Sequence, residues 1–259
     1  MFKILILLLS ISSFESKKNK LSNKIDSIIE YSIKEKAFPG AQILVLKDGE
    51  EVVNKNYGYH TYDSLIKVSR NSIYDLASIT KPTAGAIALM KLHENNLLDL
   101  NKPLSHYIKF FNKSRVGDVL IKDYLQHISG IRPWIPFHST TKKDDGQFKR
   151  KTLSYKQKRR YKIKLTDDLY LFNNFKKEIY NQIKKTYFVD SDTVLYSGLF
   201  FYLIPEIVEM QTNQSFDGYV ENLFSLMNLN SILFNPTKKI DLKTIVPTED
   251  DNFFRNFQI

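Results

Sequence analysis

The chain has 259 residues, 42% of them hydrophobic, which is enough to bury one sizeable core, and no composition shift divides it into independent domains. It has no cysteine, which excludes disulfides, thiol catalysis, thiolate metal sites and a lipid-modified cysteine. Its net charge of +10 is local: eleven Lys or Arg and two acidic residues lie between Thr141 and Lys164, so +9 belongs to that segment and about +1 to the rest.

Met1 to Lys3, an apolar run from Ile4 to Ile11 and the stretch Ser12 to Ser16 have the order of a secretory signal. Residues 1–16 are therefore expected to be a removed leader, with the mature protein periplasmic or extracellular. The apolar run is too short to span a bilayer as a helix, so an integral membrane protein is not expected. Leu21 to Lys36 places Ile25, Ile28, Ile29 and Ile33 at helical spacing between charges, which predicts an amphipathic helix. Pro39-Gly40 interrupts it. Ala41 to Lys47, Asp48-Gly49 and Glu51 to Lys55 then read as a β-hairpin, because Asp-Gly readily gives the positive φ of a tight turn.

The pattern from Ile79 to Leu98 predicts a central buried helix, and Pro82 fits it only in the first turn, where its missing N–H costs nothing. Ser78 then stands at or just before the helix start. A short helix is expected from Ile121 to Gln126, ending near Gly130, with a proline-rich loop at Arg132 to Pro136. The basic segment at about 141–164 reads as a solvated insert attracted to anionic envelope polymers. Phe148, Tyr155 and Tyr161 are interleaved with its charges, as in a single-strand binder, but export argues against nucleic acid and none is expected. Thr166 to Lys184 looks helical. Tyr196 to Met210 is a further apolar helical segment that Pro205 should kink or split, and Ser215 to Met227 is a helix with a serine cap. Asn235 to Ile259 reads as turns and polar loop. None of the five histidines has metal-ligand spacing, so each is expected to be a surface or core residue.

The chemistry centres on Ser78-Ile79-Thr80-Lys81. A serine three residues before a lysine at a helix start puts both side chains on one face, and a desolvated lysine amine can accept a serine proton. The helix N-terminus favours developing negative charge. Alone, Ser-x-x-Lys also describes a capping serine beside a surface lysine.

The context extends the motif. Tyr74 to Lys81, the apolar helix and Leu97 to Leu104 with Tyr107-Ile108 resemble the nucleophile region of the serine β-lactamase-related, penicillin-binding-protein-like hydrolases. Phe38 to Ala41 with its hairpin, Ile121 to Gly130, and Phe216 to Leu229 are similar to landmarks of that family in the same order. The resemblance implies an α/β (α+β) fold, an antiparallel sheet flanked by helices. It implies an acyl-enzyme on Ser78 with Lys81 as base, no cofactor, and amide or ester substrates: cell-wall peptides, β-lactams or small esters. The family's Tyr-x-Asn/Asp motif aligns with Tyr196-Ser197-Gly198, so Tyr196 would shuttle protons between Ser78, Lys81 and the leaving group.

Gly198 departs from that pattern, lacking the amide or carboxylate that would hold Lys81. The third family motif, Lys-Thr-Gly or His-x-Gly on a strand, has no match; Lys243-Thr244-Ile245 lacks the glycine. The expectation is therefore a C-terminally truncated domain over 21–259, which a separately encoded partner could complete. The competing reading is a non-catalytic remnant or a module that binds envelope glycan or peptide.

Overall fold

A two-residue turn with both residues at positive φ, Asp48 (53°) and Gly49 (82°), joins strand β1 (Gly40–Lys47) to strand β2 (Glu50–Gly58), which pair antiparallel in the computed structural model. The structure describes residues 19–190 and 194–248; the expected leader and the chain after Thr248 lie outside them. Two units emerge, one from residues up to Asp75 together with those from Asn235, the other from Leu76–Phe234. The first unit draws on stretches far apart in sequence.

In the first unit helix α1 occupies residues 19–34. Ile25, Ile29 and Ile33 are half-buried at i, i+4 and i+8, whereas Ile28 is exposed, so the apolar face is narrower than expected. Asp26 ties the helix to β2 by accepting from Lys55 Nζ at 2.7 Å and from the Tyr57 hydroxyl at 2.7 Å. The Lys55 hydrogen bond holds the carboxyl below its usual range, and burial with the Asp26 contact pushes the Tyr57 phenol up to about 12. Gly58, at φ 62°, lies so near the Pro39 carbonyl that a Cβ would clash with it. Lys243 and Thr244 lie in a 3-10 turn (Leu242–Thr244), and Ile73 N–H donates to the Thr244 carbonyl at 2.7 Å.

The second unit is mainly helical. A 3-10 turn (Ala77–Ile79) leads into a π-helical stretch (Lys81–Ala86) and then helix α2 (Ile87–Glu94). The predicted helix is thus broken into three hydrogen-bonding regimes, with Pro82 in the first turn of the second, and it stops at Glu94, where Asn96 turns to φ 58°. Short helices α3 (Leu104–Tyr107), α4 (Arg115–Asp118) and α5 (Ile121–Leu125) follow, α4 being capped by Ser114, whose Oγ accepts from Gly117 N–H at 3.1 Å.

The basic segment is not wholly solvated. It forms strands β3 (Leu153–Ser154) and β4 (Ile163–Lys164), which flank β5 (Tyr170–Leu171) in a three-stranded antiparallel sheet, and Thr152 to Ser154 are buried. The expected helix from Thr166 therefore starts late, as α6 (Phe175–Lys184). Leu165 N–H donates to the Leu169 carbonyl at 2.8 Å and Thr166 Oγ1 to Asp168 at 2.9 Å, local bonds that compete with helix.

Pro205 does split its segment, into a 3-10 turn (Leu199–Tyr202) and helix α7 (Ile204–Thr212). Helix α8 (Phe216–Leu226) begins at Ser215, whose Oγ accepts from Gly218 N–H at 3.3 Å. Helices α2, α7 and α8 enclose the core, in which Ala88, Leu92, Ile204, Ile207 and Val220 are fully buried. Among the described residues no helix is long and apolar enough to cross a membrane.

Phe200 is 1% exposed and stacks on Tyr124, with centroids 4.7 Å apart and planes within 3°. Phe200→Ala should lower the unfolding free energy by about 3–5 kcal/mol through the cavity it opens. Met90→Ala, at a position 68% exposed, should change it by less than about 0.5 kcal/mol. Urea midpoints at unchanged slope check both.

Candidate active site

Ala77 precedes the candidate nucleophile with φ 44°, a left-handed conformation that costs an L-residue roughly 1–2 kcal/mol. It bends the chain into the 3-10 turn that carries Ser78 as its middle residue. The Thr80 N–H then closes the turn onto the Ala77 and Ser78 carbonyls, and Thr83 Oγ1 bonds the Ile79 carbonyl at 2.7 Å. Lys81 lands on the same side as Ser78, its Nζ donating to Ser78 Oγ at 2.9 Å. With the amine neutral, the same separation lets Nζ accept the hydroxyl proton. Ser78 is exposed and Lys81 half-buried, so the pair sits at an open mouth and not in the buried site that the sequence suggests.

Tyr196 completes the group. Its hydroxyl is held below the usual phenol range, first by hydrogen bonding to Ser78 and then by the hydrogen bond and charge of Lys81. Lys81 Nζ also lies 5.6 Å from the centroid of the Tyr196 ring and 5.9 Å from that of Phe201. The structure thus brings together all three residues singled out in the sequence.

The loop carrying Tyr196 is clamped mainly through backbone. Leu195 N–H donates to the His127 carbonyl at 2.8 Å, and Gly198 N–H donates to the Pro133 carbonyl at 2.9 Å. Buried Ser197 donates through Oγ to the Arg132 carbonyl at 2.7 Å and accepts from Leu199 N–H at 3.2 Å. The His127 ring lies 4.7 Å from the Tyr196 ring, and its Nδ1 accepts from Ser197 N–H at 3.3 Å, which requires Nδ1 unprotonated. Desolvation, and then the charge of Lys81, keep this imidazole neutral to lower pH than an ordinary histidine.

His127 is the residue that sequence reasoning misses, being treated there as one of five dispersed histidines; only its pairing with Tyr196 across 69 positions gives it a role. Gly198 has an ordinary α-region backbone, φ −87°, so conformation does not demand glycine. A Cβ there would stand 3.4 Å from Lys81 Cε and 3.9 Å from Nζ. Position 198 therefore faces the lysine, and glycine leaves that side of the amine open.

The three groups line a cavity of about 450 Å³ whose walls include Pro133, Trp134, Phe201 and Tyr202. Among the described residues no cluster of His, Asp or Glu could hold a metal ion. The arrangement is a hydroxyl, an amine and an acidified phenol in mutual contact beside an apolar wall, the nucleophile and proton-transfer groups that acyl transfer uses.

A family model described as Beta-lactamase matches residues 25–245. Protein flp of Staphylococcus aureus is 36% identical over 116 residues, covering 44% of this chain and 23% of flp. A putative D-alanyl-D-alanine carboxypeptidase of Salmonella schwarzengrund is 29% identical over 243 residues, covering 87% of this chain and 49% of that protein. The chain thus spans about a quarter of the first relative and about half of the second. A crystal structure of a class C beta lactamase superposes with a TM-score of 0.62 at 16% identity, covering 88% of this chain and 55% of that one, which shows the β-lactamase/transpeptidase fold.

Ultraviolet titration tests the contact geometry. A phenol component ionising below the ordinary range should vanish in Tyr196→Phe and move up in Ser78→Ala, since the Ser78 bond is the largest cause of its displacement. An unchanged profile in both variants would break up the proposed triad.

Proposed function

The chain belongs to the beta-lactamase family, and from that premise we propose that it is a serine hydrolase forming an acyl-enzyme on Ser78. The observation that carries the reading is the 2.9 Å contact between Lys81 Nζ and Ser78 Oγ, with Tyr196 bonded to the same pair.

The Ser78 hydroxyl gives its proton to neutral Lys81 as Oγ bonds to an amide or ester carbonyl carbon. The carbonyl π pair moves to oxygen, and the N-terminal end of the Ser78 turn favours that negative charge. On collapse the carbon–leaving-group bond breaks, and the proton held by Lys81 reaches the departing nitrogen or oxygen through the Tyr196 hydroxyl. Water, deprotonated by the same set, then attacks the acyl carbon, releasing the acid and restoring Ser78.

The substrate classes are cell-wall peptides, β-lactams and small esters. The relative named as a putative D-alanyl-D-alanine carboxypeptidase supports the first. The leader pattern of residues 1–16 supports action outside the cytoplasm, where such substrates occur. A cleft that binds these groups without turnover is the second reading. The open side of Lys81 at Gly198 favours it, because no amide holds the amine in line with Ser78.

Covalent labelling separates the two. A fluorescent penicillin or activated-ester probe should label the protein, Ser78→Ala should abolish labelling with the fold retained, and Lys81→Gln should slow it by about 10²–10⁴. Gly198→Asn should fold normally and label faster than the parent. Labelling that survives Ser78→Ala would remove the mechanism, and binding without labelling would establish the second reading.

A further inference from the structure

The basic segment folds against α6, and the two enclose a cavity of about 460 Å³ that has no lining residue in common with the Ser78 pocket. Lys149, Arg150 and Lys151 line it from the segment and Lys177 from α6. None of these four cations forms an ion pair among the described residues. Neighbouring cations do: Lys176 lies 2.5 Å from Glu206, and Lys164 lies 2.8 Å from Asp167. The one carboxylate lining the cavity, Glu178, accepts from Gln182 Nε2 at 3.1 Å.

The backbone that carries these charges is fixed before any ligand arrives. Lys149 N–H donates to the Thr141 carbonyl at 2.7 Å, and Lys151 N–H donates to the Tyr161 hydroxyl at 3.2 Å. Buried Thr152 bonds through Oγ1 to the Thr141 and Lys149 carbonyls at 3.0 and 2.6 Å, while its own carbonyl accepts from Phe172 N–H at 2.8 Å. Four cations on one fixed rim repel one another, and a multivalent anion relieves that repulsion at little cost in ordering. The side-chain amides of Asn174 and Asn181 add neutral donors, and Phe172 and Phe175 line the cavity with apolar surface.

We propose that this cavity binds a phosphate-bearing ligand. Tetrahedral oxyanions carrying close to two charges match a lysine cluster with one guanidinium fork and amide donors. The volume fits a small ligand or one unit of a polymer, and it excludes a duplex or a folded partner. The phosphate can be free, as in a phosphorylated sugar, or repeated along a polyanionic chain.

Calorimetry on the full chain at low salt tests the assignment with inorganic pyrophosphate, citrate, a long polyphosphate and a single-stranded oligonucleotide. Pyrophosphate should saturate at one per chain and bind at least ~5-fold more tightly than citrate. The triple variant Lys149→Glu, Lys151→Glu, Lys177→Glu should weaken it at least ~10-fold, and the equally charged control Lys156→Glu, Lys158→Glu, Lys162→Glu, outside the cavity, less than ~2-fold. Lys177→Gln, a mild change at an exposed helical position, guards against misfolding and should itself cost ~3-fold or more. Polyphosphate binding more tightly per site than pyrophosphate assigns a polymeric source and weaker binding a free one, both supporting the site. Equal losses in the two triple variants, non-saturating titration, no loss in Lys177→Gln, or citrate or oligonucleotide binding as well as pyrophosphate would overturn it.

Discussion

The geometry of the candidate site depends on one close approach. Gly85, in the π-helical stretch, faces the start of α7, and a Cβ there would stand 3.1 Å from Phe201 Cδ1 and 3.2 Å from Ile204 Cδ1. Its φ is ordinary, so the glycine is there for space and not for conformation. Ala84 and Ala88 beside it are buried as well, so this stretch carries only small side chains into the core. Lys81 lies about one turn before Gly85, and Tyr196 stands in the backbone-clamped loop that leads into Phe201. The approach of lysine to tyrosine is therefore constrained on one side by helix packing, where dispersion contacts are collectively strong and a close-packed interior resists deformation, and on the other by the loop's hydrogen bonds. Pro82 contributes by having no N–H to satisfy where the hydrogen bonding changes register.

The same site is rigid behind and open in front. The Tyr196 loop is held by bonds to the His127, Arg132 and Pro133 carbonyls and by buried Ser197, so orientation of the phenol does not depend on substrate. Ser78 and Tyr196 face outward, Tyr196 being 52% exposed. Solvent at the mouth screens charge, so Lys81 acts on Ser78 and Tyr196 chiefly through direct hydrogen bonds and reaches the more enclosed His127 ring through its charge. That places weight on the missing side chain at 198: in an open site, an amide against the amine would have restricted it in a way that low dielectric cannot.

Local rules made much of this legible. The Asp-Gly hairpin, the Ser215 cap, the break at Pro205 and the one-turn spacing of Ser78 and Lys81 each follow from steric or hydrogen-bond preferences of a few adjacent residues, and each appears in the structure. What was not legible depends on partners distant in sequence. The strand at Tyr170–Leu171 exists because β3 and β4 flank it, so a helical pattern from Thr166 gave the wrong element. His127 gained its role from a loop far along the chain, and the first unit from residues at both ends of the described sequence. The strained φ of Ala77 has no marker in the sequence, since glycine, asparagine and aspartate are the residues that visit that region routinely.

Charge accounting marked the basic segment but misjudged what charge does once a backbone is ordered. In a solvated coil, eleven cations spread apart and each keeps its own counterions. Pairing β3 and β4 with β5 and anchoring Thr152 prevents that spreading, and three of the cations are then held on a rim with a fourth from α6. Their repulsion is part of the folded state, and it is smallest when anions sit among them. The Ser78 pocket follows the opposite logic, with one lysine against aromatic walls. The two pockets share no lining residue, so their electrostatic characters are set by different side chains: a cluster of cations at one, a single amine against aromatic rings at the other.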